Sequence, residues 1–431
     1  MKNRLVIFLH SIVLNLYACL IFIRRYNILF FYFLKKINQS KRDLDLNSLR
    51  LFLRHANTNS KFWKHRFEKY SFNVESGDLI SELKKLPVLT KKEVSENKED
   101  IRCYKLLSTK VKTSGTTGSS LIFSQTILME NFQWAIWWRY RNDIGISLFQ
   151  KCGWFGGRKI ISPSNNKIGF WRTILPLNQV MFSAYHLNDE TVSRYIQKIE
   201  SAKIQWLHGY PSQISYLAEL IHRNNLKPPQ GIKIITTGAE KLYESQRTFL
   251  SNFFKCEVYQ HYGLAEGVSN ISEDKNKSLS PDQDFAFTEF MPTSDKSIYK
   301  IVGTNYRNKA FPLIRYQSGD EVLFNEKGGI KEIIGRDEDY VFMLDGTKLG
   351  RLDHIFKSFE EVAESQIYQS KDFSVEVRIV PRDTFNFNTE KKLHKEISSY
   401  FSNNLEFKIK KVTQIEKTKS NKFKFVISEI K

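Results

Sequence analysis

The pattern of apolar and polar positions changes several times along the chain. It begins with a nearly uninterrupted apolar run, LVIFLHSIVLNLYACLIFI, over residues 5–23, followed by a pair of arginines and a second apolar run over 28–34. Three polar residues interrupt the first run, which disfavours an uninterrupted transmembrane span. No small-residue cleavage site follows it, which disfavours a signal peptide. We expect an amphipathic or packed helix with peripheral membrane contact through residues 5–34, and a transmembrane anchor is the alternative.

From about residue 44 to residue 100, apolar residues recur at spacings of three and four, as in amphipathic helices. Pro87 interrupts this pattern before the segment VLTKKEV. The pattern predicts that residues 1–90 form an N-terminal helical region, which we assign to the large domain.

Between residues 203 and 267, short β-rich runs alternate with helical patterns. The β-rich runs, at 203–212, 231–240 and 256–267, each lead into a glycine, and helical segments at 213–225 and 243–254 separate them. This β-α-β-α-β order predicts a mostly parallel sheet, and ligands bind at the carboxyl ends of the strands in such sheets.

After residue 330 the pattern changes again, to a charged joint near residues 336–339, short strand patterns and one helix around 389–404. This predicts a small second domain. The chain is therefore expected to be an α/β protein, with a large domain of mostly parallel sheets and helices at residues 91–335 and a small α+β domain at residues 336–431.

Composition limits the function without naming it. Apolar residues make up 41% and aromatic residues 14% of the chain, as in a packed globular protein. The formal net charge of +20 fits nucleic acid, an acidic membrane surface or a phosphorylated small molecule, and equally a solvated lysine-rich surface. The four cysteines include no CxxC pair, so we expect buried thiols in a reducing compartment rather than a disulfide framework or a structural zinc site.

The segment VKTSGTTGSSLIF, residues 111–123, contains two glycines and six hydroxyl side chains at positions 113–120. We call residues 113–120 the phosphate loop. Successive backbone N–H groups and hydroxyls in one turn are suited to binding polyphosphate oxygens. The loop is not of the GxxxxGK[ST] kind, because no lysine follows Gly118. On residue types alone, an ordinary surface loop is the more common interpretation.

The string TSGTTG resembles the phosphate-binding signature of the adenylate-forming enzymes, the acyl-CoA synthetase and ligase superfamily. Further segments resemble, in the same order, the family's adenine loop, its aromatic-Gly-x-x-Glu segment, its ribose segment, its hinge and its C-terminal lysine motif. These segments are TTGAE (236–240), YGLAEG (262–267), RYQSGD (315–320), GRDEDYVF (335–342) and KSNKFKF (419–425).

Other segments are similar to the phenylacetate-CoA ligase-like branch, and most closely to its CapK-like members associated with capsular or exopolysaccharide biosynthesis. They are LKKLPVLTKKEV (83–94), LHGYPSQI (207–214) and DGTKLGRLDHIFK (345–357). Similar N-terminal segments in that branch belong to soluble proteins, which disfavours the transmembrane alternative. We therefore expect a cytoplasmic protein, with peripheral contact at the inner face of the membrane through the apolar N-terminal segments.

The resemblance implies ATP- and Mg²⁺-dependent activation of a carboxylic acid to an acyl-adenylate, followed by transfer to CoA or another acceptor. It implies Lys422, Glu266 and Thr117 as catalytic residues, with Glu266 holding Mg²⁺ and Lys422 on a mobile C-terminal lid. The nucleotide-binding residues that it implies are Thr113, Ser114, Gly115, Thr116, Thr117, Gly118, Gly238, Ala239, Glu240, Tyr262, Gly263, Asp320 and Arg336.

Four of these residues, taken in isolation, also have a purely structural interpretation. Asp320 would serve equally as a turn residue, Glu266 as a helix cap, Arg336 as an ion-pair partner and Lys422 as part of a solvated lysine-rich edge. The chain departs from the family pattern at Asn421, where glycine usually precedes the lysine, and at residues 119–121. The stretch 267–285 contains no Cys or His, so no zinc is expected there.

The sequence leaves the position of the acyl pocket and an alternative function open. WLHGYPSQI and the aromatic segment at 132–145 are candidates for the acyl pocket, although the wide arc of aromatic residues in the second favours a core helix. The alternative function is a catalytically idle nucleotide-binding scaffold of a membrane-associated polysaccharide assembly complex. Specific nucleic-acid binding has no motif behind it, and the acid, the acceptor and the oligomeric state stay open.

Overall fold

The computed structural model describes most of the chain. The described residues are 2–39, 41–103, 108–112, 121–156, 160–161, 169–242, 244–293, 296–335, 341–345, 348–349, 352–356, 358–359, 361–381, 383–401, 405–413, 415 and 426–430. For residues 2–10 and a few others within helices and strands, only the backbone is described.

The helices of the described residues are α1 (Lys2–Arg25), α2 (Ile28–Asn38), α3 (Leu46–Asn59), α4 (Lys61–Lys69), α5 (Leu79–Leu83), α6 (Lys91–Glu96), α7 (Lys98–Ile101), α8 (Ile127–Asp143), α9 (Val192–Ser201), α10 (Pro211–Arg223), α11 (Glu244–Phe254), α12 (Asp353–Phe356) and α13 (Phe387–Phe401). Short 3-10 helices cover Leu175–Leu177 and Ala184–His186. Side-chain caps explain several starts: Asp45 accepts from the Ser48 amide before α3, and Thr90 forms a capping box with Glu93 before α6.

The strands are β1 (Ser108–Lys112), β2 (Ile122–Thr126), β3 (Cys152–Gly156), β4 (Trp171–Ile174), β5 (Gln179–Ser183), β6 (Trp206–Gly209), β7 (Ile234–Gly238), β8 (Glu257–Gly263), β9 (Asn270–Glu273), β10 (Leu279–Pro281), β11 (Phe287–Pro292), β12 (Ile298–Thr304), β13 (Tyr316–Phe324), β14 (Ile330–Gly335), β15 (Val341–Phe342), β16 (Lys348–Leu349), β17 (Val362–Gln369), β18 (Val375–Pro381), β19 (Phe407–Lys411) and β20 (Val426–Ser428).

One large sheet organises the N-terminal three quarters of the described chain. Its strand order is β11-β12-β13-β14-β10-β9-β8-β7-β6-β3-β5-β4. Strands β5, β3, β6, β7 and β8 run parallel, and α10 and α11 connect β6 to β7 and β7 to β8. The predicted β-α-β-α-β unit is therefore confirmed, whereas β9 to β14 add an antiparallel half that the sequence did not indicate.

The parallel strands are buried on both faces. On one face Cys152, Trp206 and Ile234 pack with residues of α8 such as Ile136 and Tyr140. On the other face the alternate strand residues pack with α9, α10 and α11. The predicted core role of the segment 132–145 is thus confirmed, because α8 lies between the sheet and the N-terminal helices.

The C-terminal part forms a small domain with its own core. A sheet ordered β19-β18-β17-β20 packs against α13, and the pair β15-β16 adds Val341 to the same cluster. The mixed α/β class with a large and a small domain is therefore confirmed. The predicted joint at 336–339 lies outside the described residues, so the domain boundaries stay a prediction.

The cysteine prediction is confirmed only in part. Cys152 and Cys256 are buried and Cys103 is half-buried, but Cys19 is exposed. The expectation of a buried thiol is wrong for Cys19 because α1 is packed on one face only, and Cys19 is among its exposed residues.

Among the described residues, no single helix is both long and apolar enough to cross a membrane. The segments Ser11–Arg25 of α1 and Ile28–Asn38 of α2 reach the required length and composition only together, and they are bent by 51° at the break between them.

Arg315 is a buried link between the N-terminal helical region and the sheet. Its guanidinium lies 3.1 Å from the Glu289 carboxylate and donates hydrogen bonds to the carbonyl oxygens of Lys84 and Leu86. Burial raises the pKa of Glu289 despite the neighbouring arginine, so the carboxylate is poorly solvated and depends on that cation.

We expect Arg315→Ala to lower the free energy of unfolding by about 3–5 kcal/mol, because it leaves the Glu289 carboxylate buried without its cation. Urea unfolding at neutral pH measures the loss. Arg54→Ala is the matched control, since Arg54 pairs with Glu75 at 2.5 Å on the exposed surface and should matter little. Equal losses in the two variants would contradict this account.

Candidate functional site

The carboxyl ends of three parallel strands lie side by side near the centre of the large sheet. β6 ends at Gly209, β7 at Gly238 and β8 at Gly263, and the register places Gly238 opposite His261. Because the strands run in the same direction, the loops that follow them open at the same edge of the sheet. The predicted adenine segment therefore lies next to the segment of Tyr262.

Tyr262 and Asp320 meet at this edge although 58 positions separate them. The Tyr262 hydroxyl donates a hydrogen bond of 2.7 Å to Oδ2 of Asp320. Asp320 is buried, and its backbone amide donates to the Ser318 hydroxyl at 3.0 Å. Asp320 belongs to β13, so its alternative interpretation as a turn residue is wrong.

The backbone after β7 leaves little room for side chains. A Cβ at Gly238 would lie 3.2 Å from the carbonyl oxygen of His261, closer than an ordinary contact. Ala239 then adopts a left-handed conformation with φ of 65°, which is uncommon for a residue that has a Cβ. The next residue, Glu240, is half-buried. This tight bend keeps the backbone of the predicted adenine segment against the end of β8.

An ion pair holds the same loop from the other side. Nζ of Lys241 lies 2.6 Å from the Glu332 carboxylate on β14. Since β14 leads directly into the predicted hinge, the pair connects the loop after β7 to the end of the large domain.

Glu266 lies in the turn between β8 and β9. The Gly267 amide donates to the Leu264 carbonyl at 3.0 Å, and Gly267 has φ of 65°, a conformation that favours glycine. Glu266 is buried, and its carbonyl oxygen accepts a hydrogen bond of 3.2 Å from Nδ2 of Asn305. Over the described residues no helix begins here, so the alternative interpretation of Glu266 as a helix cap is wrong.

The phosphate loop itself lies outside the described residues, but its two flanking strands are described. β1 and β2 pair antiparallel, with Lys112 opposite Ile122. Leu121 and Phe123, at the return from the loop, are buried in one cluster with Val268, which follows the Glu266 turn. The base of the phosphate loop and the Glu266 turn therefore share a hydrophobic core.

Two buried asparagines of the connection between β12 and β13 hold these parts together. Nδ2 of Asn308 donates to the Ser124 carbonyl at 3.0 Å, within β2. Asn305 contacts the carbonyls of Glu266 and Phe311 and accepts from the Leu313 amide at 2.8 Å. Because buried backbone groups need partners, these amides fix β2 and the Glu266 turn relative to the same loop.

Behind the strand ends lies a polar cluster on the α8 face of the sheet. Oγ1 of Thr236 accepts a hydrogen bond of 2.7 Å from Trp206 and lies 2.9 Å from Nδ1 of His208. The Arg141 guanidinium of α8 stacks over Trp206 at 5.1 Å from the ring centroid. Burial, together with the nearby Arg141 charge, lowers the pKa of His208 to about 3, and burial lowers that of His261 to about 4.

A second buried network fixes the β8–β9 hairpin. Arg139 of α8 contacts Asp282 at 2.8 Å and Asp284 at 2.6 Å. Asp282 in turn accepts from Nδ2 of Asn270, the residue paired with Gly263. Oδ1 of Asn270 accepts from Trp137 at 3.2 Å. The hairpin that carries Tyr262 is thus hydrogen-bonded to the central helix.

Sequence reasoning predicts seven site residues that the structure describes. Gly238, Ala239, Glu240, Tyr262, Gly263, Glu266 and Asp320 lie at or beside the strand ends. Thr113, Ser114, Gly115, Thr116, Thr117, Gly118, Arg336 and Lys422 lie outside the described residues. It missed Asn305 and Asn308, because single amides in a connecting segment carry no periodic signal. It also missed Arg139 and Arg141, because the aromatic residues around them in α8 dominate the sequence pattern.

The described residues offer Mg²⁺ a single predicted carboxylate. No group of three or more His, Cys, Asp or Glu side chains that could hold a metal occurs among them. One carboxylate fits an ion that keeps water ligands and takes phosphate oxygens from a substrate. The expectation of no zinc stays a prediction.

The lowered pKa values predict an acid-labile fold. In the unfolded chain a histidine has a pKa near 6.5, whereas the folded protein lowers the pKa of His208 and His261. Below pH 6.5 the unfolded state therefore binds more protons than the folded state, and the free energy of unfolding falls as the pH drops towards 4. We expect His208→Gln to reduce the slope of unfolding free energy against pH by about 1.4 kcal/mol per pH unit between 6 and 4. Urea titrations at stepped pH measure it, with His65→Gln at an exposed position as the substitution control. An unchanged slope in His208→Gln would show that His208 takes up protons in the folded protein.

Comparisons with known proteins agree with this architecture. Residues 345–429 match the family model described as the CapK C-terminal domain. Protein CapK of Staphylococcus aureus is 28% identical over an alignment of 429 positions, which covers 95% of this chain and 94% of that protein.

Solved structures of 2-hydroxyisobutyryl-CoA ligase share the fold. The complex with 2-HIB-AMP and CoA in the thioesterification state superposes with a TM-score of 0.56 at 17% identity, covering 89% of each chain. The postadenylation complex with 2-HIB-AMP gives a TM-score of 0.53 at 17% identity, covering 89% of this chain and 88% of that one. The chain therefore carries a CapK C-terminal domain, resembles Protein CapK over most of its length and shares the fold of the 2-hydroxyisobutyryl-CoA ligase structures.

Proposed function

We propose that this protein activates a carboxylic acid with ATP and transfers the acyl group to CoA or another acceptor. The carboxylate oxygen attacks the α-phosphorus of ATP, the bond to the bridging oxygen breaks, and pyrophosphate leaves with that electron pair. The acceptor then attacks the acyl carbon and AMP leaves. The observation that carries the proposal is the hydrogen bond between Tyr262 and Asp320 at the carboxyl end of the parallel strands.

Tyr262 and Asp320 have the chemistry that a nucleoside requires. An aspartate accepts hydrogen bonds from both ribose hydroxyls, and an aromatic ring offers a face to adenine. Their contact in the described structure places an acceptor and a ring within one hydrogen bond of each other, beside the bare backbone at Gly238. This arrangement supports a nucleotide whose base lies over the end of β8 and whose ribose reaches β13.

Glu266 is suited to charge control at the phosphates. Its turn shares a core with the base of the phosphate loop, and both are hydrogen-bonded to one asparagine-containing connection. A magnesium ion held there would neutralise charge on the departing pyrophosphate. Thr113 to Gly118 would supply amide and hydroxyl donors to the phosphates, and Thr117 is the residue among them that we assign to catalysis.

Lys422 supplies the remaining cation in this proposal. It would reach the α-phosphate and the attacking carboxylate when the C-terminal domain closes, then withdraw for the transfer step. Arg336 would complete the ribose contact at the hinge. Both residues lie outside the described part of the chain, so their roles rest on the resemblance alone.

The wider setting is also a proposal. The 2-hydroxyisobutyryl-CoA ligase structure in the thioesterification state contains 2-HIB-AMP and CoA, which supports an acyl-adenylate and favours CoA as the acceptor. The resemblance to CapK-like members associated with capsular or exopolysaccharide biosynthesis supports a role in capsular or surface polysaccharide biosynthesis or modification. The segments at 83–94 and 207–214 support the phenylacetate-CoA ligase-like branch.

Carboxylate-dependent exchange of labelled pyrophosphate into ATP tests the reaction. We expect exchange with one class in a panel of aryl, short aliphatic, hydroxy and amino acids, and loss of exchange in Lys422→Ala with ATP binding retained. Lys419→Ala, a neighbouring lysine in the same segment, is the matched control and should keep exchange. Full exchange in Lys422→Ala would remove this lysine from the mechanism, and ATP binding without exchange for any acid would favour the idle scaffold.

Equilibrium binding of ATP tests the nucleotide site separately. We expect Asp320→Ala to weaken ATP binding by about tenfold to a hundredfold, because it removes a charged acceptor, and Tyr262→Phe to weaken it less because the ring remains. Glu321→Ala, at the next position of β13, is the control. If Asp320→Ala bound ATP as tightly as Glu321→Ala does, the ribose would have to lie elsewhere.

A further inference from the structure

The outer face of α1 is apolar and uncovered over the described side chains. Exposed residues follow one another at one-, three- and four-residue spacing, which keeps them on one side of the helix. Several are largely exposed, including Leu20 at 68% and Ile23 at 66% of their surface. They are Ile12, Val13, Leu16, Tyr17, Leu20 and Ile23.

The outer face of α2 is also apolar. Phe30, Leu34 and Ile37 are buried against the body of the large domain, whereas Ile28 is 83% exposed and three neighbours are also exposed. These neighbours are Leu29, Phe31 and Tyr32. We call the ten exposed residues of the two helices the apolar stripe. They make up ten of the 18 large apolar residues exposed over the described chain, a concentration that marks an interaction surface.

Contacts on the opposite face of α1 fix the orientation of the stripe. Asn15, one of the polar residues in the first apolar run, donates to the Thr173 carbonyl at 3.1 Å and accepts from the Leu175 amide at 2.8 Å. Those partners belong to β4, the edge strand of the large sheet, and to the turn after it. Asn15 thus anchors the opposite face of α1 and leaves the stripe directed outward.

The joint between the helices is also held to the body. Oε1 of Glu130 lies 2.8 Å from both Arg24 and Arg25. Asn131 donates to the carbonyl oxygens of the same two arginines. Straightening α1 and α2 into one span would leave the buried Glu130 carboxylate without its cations, so the bent pair is built to lie on a surface rather than to cross a membrane.

The charged residues of the segment that carries the stripe have one sign. Residues 1–42 contain eight Lys or Arg and no Asp or Glu. Lys35 and Lys36, in the last turn of α2, are exposed beside the stripe. A second copy of this chain would bring the same basic rim against itself, whereas an anionic surface would neutralise it. Exposed Tyr17 and Tyr32 suit a lipid–water interface, where aromatic residues with a polar end collect.

We propose that the apolar stripe of α1 and α2 docks this protein on the surface of an anionic lipid bilayer, with the exposed lysines of α2 at the headgroups. The helices lie in the interface plane and do not span it. This inference concerns where the protein acts and is independent of the reaction proposed above.

Co-sedimentation of the full chain with vesicles tests the proposal. We expect binding to vesicles of phosphatidylcholine mixed with phosphatidylglycerol, and much weaker binding to phosphatidylcholine alone. The double variant Leu16→Gln/Leu20→Gln should reduce binding by about tenfold or more, because it removes two exposed apolar contacts. Leu344→Gln/Phe387→Gln, which removes two exposed apolar residues of the C-terminal domain, is the matched control.

A charge pair separates the contribution of the lysines. Lys35→Glu/Lys36→Glu should reduce binding to the anionic vesicles by about tenfold or more, whereas Lys391→Glu/Lys392→Glu, an exposed pair on α13, should not. Equal binding to both kinds of vesicle, or loss no larger than in the matched controls, would overturn the proposal.

The exposed thiol of Cys19 gives a site-specific readout. In a Cys103→Ser background, an environment-sensitive fluorophore on Cys19 should shift to shorter wavelength with anionic vesicles, and the same fluorophore on a Cys19→Ser/Phe387→Cys variant should not. A shift that instead follows protein concentration without lipid, together with a doubled solution mass, would show that a second copy covers the stripe and would also overturn the proposal.

Discussion

The buried polar groups of α8 are the constraint on which the large domain depends. This helix lies between the parallel strands and the N-terminal helices, where a charge or an amide without a partner is costly. Glu130 contacts Arg24 and Arg25, Asn131 contacts the backbone of the same joint, and Arg139 contacts Asp282 and Asp284. These partners lie in two distant parts of the chain, residues 24–25 and 282–284, so satisfying one helix fixes the position of both at once.

The same helix connects the outer surface to the candidate site. At its first turn, the Met129 side chain packs against Gly267, beside Glu266. Towards its other end, Arg141 stacks among tryptophans and helps to keep His208 neutral. The polar residues that interrupt the hydropathy pattern therefore determine how this helix is rotated about its axis and where it packs against its neighbours.

Much of the fold was predictable because its elements obey local rules. The runs that end at Gly209, Gly238 and Gly263, with helices between them, predict parallel strands without any knowledge of the rest of the chain. The antiparallel half was not predictable, since β9 and β10 are short and their pairing with β14 depends on contacts far apart in sequence. The wide aromatic arc of α8 correctly indicated a core helix, but its buried ion pairs left no periodic trace.

The candidate site divides in the same way. Motif resemblance selected Tyr262 and Asp320 separately, but only the folded chain shows that they share a hydrogen bond. The supporting amides of Asn305 and Asn308 were invisible to it, because their value lies in replacing backbone partners that no strand supplies. Physical support of a site is often built from such single residues, whereas the groups that contact a ligand recur as short strings.

The contact of Leu89 with β13 bears on how this chain is put together. Leu89 donates to the Arg315 carbonyl at 2.8 Å and accepts from the Gln317 amide at 3.0 Å, at the start of β13, before β14 begins to pair with it. The N-terminal helical region thus supplies backbone partners that the sheet lacks on its own. The sheet and the helical region therefore depend on each other. A recombination that exchanged the first ninety residues would leave the start of β13 without these backbone partners, a few residues from Asp320.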